Sequence, residues 1–302
     1  MKHIFIVNPA SGKENSTEEI KRQLAKLDSD VDWELYVTKS PGDATQYIKK
    51  YCEEHRDPVR FYACGGDGTL HEAANGIVGY DFAALGCVPC GSGNDFVKYY
   101  GDKAPFLDMK KQVSGRAVSI DLIRVGERYA INAVHFGFDS CVADLIPKYR
   151  RNRFIGGKLA YPMAVGKSLL TGMRHQCCVE VEGELLNEAK EMLLCTIANG
   201  QYVGGSYRCA PKSKNDDGEL EVCVMQPISV IKFLMIAGVY QAGKHFEDPR
   251  FTFMRYKRGK NIHVTAPEGF IYSMDGEIIE GNDFVAEVVP GAIQFIVPEG
   301  ID

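Results

Sequence analysis

The chain has 302 residues, 45% of them hydrophobic, and a formal net charge of −5. That size supports a substantial core, in one large domain or two modest ones, and the acidic balance excludes wholesale nucleic-acid binding. Met1-Lys2-His3-Ile4-Phe5-Ile6-Val7 lacks a leader's apolar core and cleavage site, and the longest apolar stretch, 228–240, contains Lys232 and is too short to span a bilayer; the expectation is a soluble, cytoplasmic protein.

Strand patterns at 4–7, 33–37, 60–64 and 83–88 alternate with helical patterns at 17–27, 43–52 and 70–78. Ile20, Leu24 and Leu27 share one helix face. A short helix is expected from Asn94. This order predicts a parallel, Rossmann-like sheet covered by helices. The pattern changes near residues 118–122, after which strands dominate, at 129–134, 177–182, 192–198, 220–225, 261–265 and 284–289. Helical stretches at 158–171 and 229–241 interrupt them. The expected plan is an α/β nucleotide-binding domain over 1–122 and a mainly antiparallel β-sandwich over 123–290, with a cleft between; residues 291–302 are expected to return to the first domain.

Gly65-Gly66-Asp67-Gly68-Thr69 ends an apolar strand and opens an amphipathic helix. Glycines there permit close backbone approach, and the free N–H groups of a helix start attract phosphate. Asp67 would repel bare phosphate, so it points to Mg²⁺. Thr69 and Glu72 read as a capping box, which would start the helix at Thr69. Neither a Walker A nor a Rossmann glycine fingerprint is present. Asn8-Pro9-Ala10-Ser11-Gly12 and Gly91-Ser92-Gly93-Asn94-Asp95-Phe96 likewise follow strands, and Asp95 could simply cap the next helix. Asp275-Gly276-Glu277 reads first as a hairpin turn, yet beside a nucleotide cleft Glu277 could accept a proton. The ten cysteines read as free thiols, Cys87-Val88-Pro89-Cys90 included, and His71 and His135 read as packed or surface histidines rather than metal ligands.

In order and spacing these segments resemble the diacylglycerol kinase catalytic family, which includes bacterial lipid kinases and the sphingosine and ceramide kinases. The resemblance also takes in GGKLAY at 156–161, NG-x-x-x-GG at 199–205 and DDGELEV at 216–222. Ser92 stands where the family commonly has Thr. The resemblance implies an ATP-dependent lipid kinase that transfers the γ-phosphate to diacylglycerol or a related lipid alcohol. It implies nucleotide contacts from Asn8, Ser11, Thr38, Gly65, Gly66, Asp67, Gly68, Thr69, Glu72 and Ser92. Asp67, Asp95, Asp121 and Glu277 match the acidic set that holds catalytic Mg²⁺ through waters, with Glu277 as the proton acceptor. Lys214, Asp217 and Glu219 resemble a separate structural Mg²⁺ site. The alternatives weighed are an NAD kinase, which shares a GGDG loop, and a non-catalytic nucleotide-binding regulator, against which all four intact acids argue. Lys148, Arg150, Arg151, Arg153 and Lys158, amid Phe154, Leu159, Tyr161 and Met163, form a basic and apolar cluster suited to an anionic membrane surface. The expected partner is therefore a lipid substrate at the inner face of the membrane, with no nucleic acid; a homodimer is compatible with this reading.

Overall fold

In β1 (Lys2–Val7), Ile4 and Ile6 face one layer while Phe5 and Val7 face the other. Such two-sided burial belongs to parallel strands covered by helices on both faces. The computed structural model, which describes residues 1–12, 16–150 and 159–301, has that arrangement. After β1 come α1 (Ser16–Leu24), β2 (Trp33–Val37), α2 (Asp43–Glu54), β3 (Val59–Gly65), α3 (Asp67–Ile77) and β4 (Ala83–Pro89). β1 pairs in parallel with β2 and β3, and β3 with β4. Ala44, Ile48, Leu70 and Ala73 of α2 and α3 fill one face. Ile20 and Leu24 of α1 cover the other, with Met109 of α4 (Met109–Val113). The long β5 (Arg116–Val125) and short β6 (Arg128–Ala130) then lead out of this half.

The second half begins with β7 (Ala133–Gly137), α5 (Phe138–Arg150) and α6 (Ala160–Thr171). The short strands β8 (His175–Gln176), β9 (Cys178–Val181), β10 (Glu184–Leu185) and β11 (Glu191–Met192) precede β12 (Leu194–Ala198) and β13 (Leu220–Met225). After α7 (Val230–Gln241) come β14 (Met254–Gly259), β15 (Asn261–Thr265), β16 (Ile271–Met274), β17 (Glu277–Glu280) and β18 (Asp283–Val297). One antiparallel sheet runs β14-β13-β12-β7-β16-β17. Its Phe136, Ile197 and Val222 pack on Val179, Ile262 and Ala286 of the facing layer. β18 belongs to both halves. Its start pairs antiparallel with β15, its end pairs in parallel with β4 through Gln294 and Phe295, and β5 runs beside it across a bulge between Val289 and Ile293. The fold class read from the sequence, a parallel α/β half and an antiparallel sandwich, is the one observed.

Three local expectations are corrected. α3 starts at Asp67, with Gly66 as an N-cap that contributes no side chain. The Thr69 hydroxyl instead accepts from Asn8 Nδ2 at 3.1 Å, and the Glu72 carboxylate accepts from the Ala44 N–H at 3.3 Å, so no capping box forms. Asp95 does not cap the 3-10 turn at Phe96–Tyr100 with its side chain. The strand expected over 129–134 breaks between β6 and β7, because the amides of Ile131, Asn132 and Ala133 all turn onto the Asp275 carboxylate.

Candidate active site

The two glycine loops meet at the C-terminal ends of β3 and β4. A Cβ on Gly91 would stand 2.4 Å from Gly66 Cα, so the loops approach too closely for any side chain there. Asn94 holds the second loop in shape. Its backbone is left-handed (φ 52°), its Oδ1 accepts from the Gly91 N–H, and its Nδ2 donates to the Gly91 carbonyl. Asp67 Oδ1 accepts from the Asp95 N–H at 2.6 Å. Its Oδ2 points at Gly93, where a Cβ would stand 2.5 Å from it and 3.8 Å from Asp95 Oδ2. Burial first, and the Asp95 charge second, push the Asp67 carboxyl up to about 6.

Two carboxylates tie the halves together across this point. Asp95 accepts from Lys98 Nζ at 2.6 Å and from the Gly205 N–H at 3.0 Å, which recruits the double-glycine turn of the second half. Asp275 occupies the tight turn between β16 and β17, with φ of 50° there and 98° at Gly276. Besides the three amides, its carboxylate takes His71 Nδ1 from α3 at 2.9 Å. His71 Nε2 lies 3.7 Å from Glu277 Oε2. Burial opposes the His71 imidazolium, yet the Asp275 hydrogen bond and charge outweigh it and raise the pKa. His71 was expected to be bland; it stands instead between two acids, one helical turn from Asp67. Asn75, a further turn along, grips both the N–H and the carbonyl of Tyr129. Lys98, His71, Asn75 and Asp275 were missed because their partners lie far away in sequence; only the Asp-Gly turn signal marked Asp275.

The remaining predicted residues divide. Ser11, Gly66, Asp67, Gly68, Ser92 and Asp95 line a cavity of about 940 Å³. Asn8, Gly65 and Thr69 sit directly behind it; a Cβ on Gly65 would stand 2.2 Å from Thr69 Oγ1. Thr38 follows β2 and bonds to the Val7 carbonyl, while Glu72 faces α2. Asp121 is apart from the cavity and 2% exposed, its oxygens accepting from the N–H groups of Gly218 and Gly291. Of the basic cluster, Arg151, Arg153, Phe154 and Lys158 lie outside the described residues, as does the first half of the 156–161 segment; Lys148 is paired with Asp144.

The two implied cation sites differ in fit. At the cleft, the Asp67 charge is made costly by burial and by Asp95, which a nucleotide-borne Mg²⁺ would relieve. Among the described residues no three His, Cys, Asp or Glu side chains form a ready-made metal cage. At the Lys214–Glu219 loop the one side chain that the resemblance makes a ligand, Asp217, is already engaged, while Lys214 and Glu219 would offer backbone carbonyls. Arg258, directly across the ladder from Glu221, donates to Asp217 and lies 3.0 Å from Glu219 and 3.1 Å from Glu221. A guanidinium already occupies the point where these carboxylates converge.

Beyond Asp95 and His135 the cavity turns apolar. Phe138, Val142 and Ile146 of α5, Val165 of α6, and Phe233 and Tyr240 of α7 wall it. The Phe138 and Phe233 rings meet at 5.1 Å. The outer side of α7 leaves Ile231, Leu234 and Met235 60–73% exposed, and Leu170 of α6 is 86% exposed.

Two converging glycine loops therefore open into a greasy chamber. The model of the diacylglycerol kinase catalytic domain matches residues 2–125, and that of the YegS C-terminal NAD kinase beta sandwich-like domain matches 132–297. The chain is 28% identical over 280 residues to the diacylglycerol kinase of Bacillus subtilis, covering 90% of this chain and 88% of that one. It is 27% identical over 308 residues to a probable lipid kinase YegS-like of Yersinia enterocolitica, covering 99% and 98%. A crystal structure of a diacylglycerol kinase from Bacillus anthracis strain Sterne shares the fold, with a TM-score of 0.70, 21% identity, and coverage of 100% of this chain and 98% of that one. The chain belongs to the diacylglycerol kinase and YegS family of lipid kinases.

Proposed function

We propose that the protein is an ATP-dependent kinase that moves the γ-phosphate to the hydroxyl of diacylglycerol or a related lipid alcohol. The observation that carries this reading is the two-part cavity, with glycine-loop amides and carboxylates at one end and an alkyl-sized apolar chamber at the other. The amides of the 65–69 and 91–94 loops hold the phosphates. Asp67 and Asp95 would hold Mg²⁺, which would supply charge neutralisation for the phosphate being transferred. Glu277, beside His71 and half exposed, takes the proton of the incoming hydroxyl. Asp121 and Arg258 act at a distance, by fixing the 214–219 loop and the β18 bulge.

The lipid enters from a membrane surface, where the apolar outer side of α7 and Leu170 meet the bilayer. Among the described residues no helix is long and apolar enough to cross it. Labelled ATP offered with lipid alcohols in mixed micelles, or with NAD, tests the reading. Label transferred to lipid supports it; label transferred to NAD alone, or ATP bound with no transfer to either, overturns it.

A further inference from the structure

The lipid chamber is not uniformly apolar. Asp139, in the first turn of α5, faces it and accepts no hydrogen bond from any described residue. Burial alone pushes its carboxyl up to about 6, and no neighbour pulls it back. The first turn of a helix tolerates an acid through the helix dipole. That does not account for two further walls of the same chamber. His135 Nδ1 likewise has no partner among the described residues, although His135 is 7% exposed, and the Tyr240 hydroxyl, 4% exposed, has only the Thr196 hydroxyl beside it. Thr196, fully buried and cross-strand from His135, lies behind this wall and meets Tyr240 and Cys209. Asp139 contributes to the raised pKa of both Tyr240 and Cys209, after burial, which places these groups on one patch. Buried polar groups in folded chains are nearly always paired. An unpartnered carboxylate lining a cavity beside a histidine with an unpartnered ring nitrogen marks a place where a ligand supplies the partners.

We propose that Asp139, Tyr240 and His135 form a polar subsite inside the lipid chamber, which binds a second hydrogen-bonding group on the substrate, a hydroxyl or amine beside the hydroxyl that receives phosphate. The inference rests on the lipid-kinase reading and narrows its substrate class. An ionised carboxylate only accepts, so the ligand must donate; a phenol donates, so a ligand hydroxyl can satisfy both. Diacylglycerol has no second donor, because its other two glycerol oxygens are acylated. A monoacylglycerol or a long-chain amino alcohol has one. A site built to hydrogen-bond a substrate group discriminates strongly against an analogue that lacks it, because its own polar atoms then stay unpaired.

The test is a Mg·ATP assay of the full chain in mixed micelles with three lipids of equal chain length: a 1,2-diacylglycerol, a monoacylglycerol and a long-chain 2-amino-1,3-diol. Wild type is expected to favour one of the two donor-bearing lipids over diacylglycerol by at least about tenfold in kcat/KM. The amino diol leading assigns an ammonium to the subsite, and the monoacylglycerol leading assigns a hydroxyl. Asp139→Leu should collapse that preference toward parity while raising Tm, since an unpartnered carboxylate leaves the interior. Tyr240→Phe, which keeps the ring and removes one oxygen, should cut the preference severalfold and carries the same test if Asp139→Leu does not fold. Wild-type preference for diacylglycerol over both other lipids, or unchanged lipid ratios in the variants, overturns the subsite and leaves the lipid-kinase reading standing. Transfer to none of the three lipids overturns the lipid-kinase reading and the subsite with it.

Discussion

Asp67→Asn isolates the electrostatic cost of building the phosphate cleft. Asp67 titrates at about 6 rather than near 3.8, from burial and then from the Asp95 charge. A shift of about two pKa units corresponds to roughly 3 kcal/mol set against the folded state when the group is ionised. Because the folded value lies above the unfolded one, the penalty is absent below about pH 4, grows between about pH 4 and 6, and is complete above that. Asparagine keeps an oxygen to accept the Asp95 N–H and removes only the charge. The variant should therefore melt roughly 5 °C higher than wild type at pH 8 and at the same temperature at pH 4. Mg·ATP should reverse the order, raising the wild-type Tm far more than that of the variant. Scanning calorimetry at both pH values, with and without Mg·ATP, measures all four numbers. A variant less stable than wild type at pH 8, or shifted equally at both pH values, refutes the reasoning.

Glu277→Gln should leave ATP affinity within about twofold and lower kcat by about 10²–10⁴; equilibrium nucleotide binding and turnover with the best lipid check this, and full turnover removes the residue from the proton step. Arg258→Ala should cost about 2 kcal/mol, because Glu221 stays buried without its cation. By the same argument EDTA should not move the wild-type Tm, and an EDTA-induced drop would show a metal where the guanidinium stands. Replacing Ile231, Leu234 and Met235 together by Ser should weaken sedimentation with lipid vesicles at least tenfold with little change in Tm, since these side chains are exposed; undiminished vesicle binding would exclude α7 as the contact. Asn75→Ala removes both bonds to the Tyr129 backbone and should lower Tm by a few degrees, as read by calorimetry.

The elements of the first half were legible because each is a local signal. Two-sided apolar strands such as residues 4–7 and glycine loops such as 65–69 declare themselves within a few positions. The loops' convergence follows from topology, since parallel strands place successive loops at one edge. What escaped was chemistry made by distant pairs. Lys98 looks like any surface lysine until Gly205, more than a hundred residues on, is beside it. His71 gains its meaning from Asp275 and Glu277, which come from the other half. The 214–219 loop resembles a cation site through its local Asp-Gly turn and Asp217, while the arginine that engages Asp217 arrives on β14. Asp139 gave no signal, because an unpaired acid in a helix's first turn is unremarkable in sequence. The Thr69–Glu72 capping box failed for the opposite reason: both side chains found better tertiary partners than the helix end offered.

The single strand β18 has a mechanical consequence. It begins as a member of the sandwich and finishes hydrogen-bonded to β4 beneath the glycine loops. The two lobes are thus welded by continuous sheet instead of joined by a flexible tether, and wide jaw-like opening would tear out ladder bonds at Gln294 and Phe295. Admission of a long acyl tail must come from local give in the helices roofing the chamber. A nucleotide lobe expressed without β18 would leave the edge of β4 unpaired at Ala84 and Leu85, so it should precipitate.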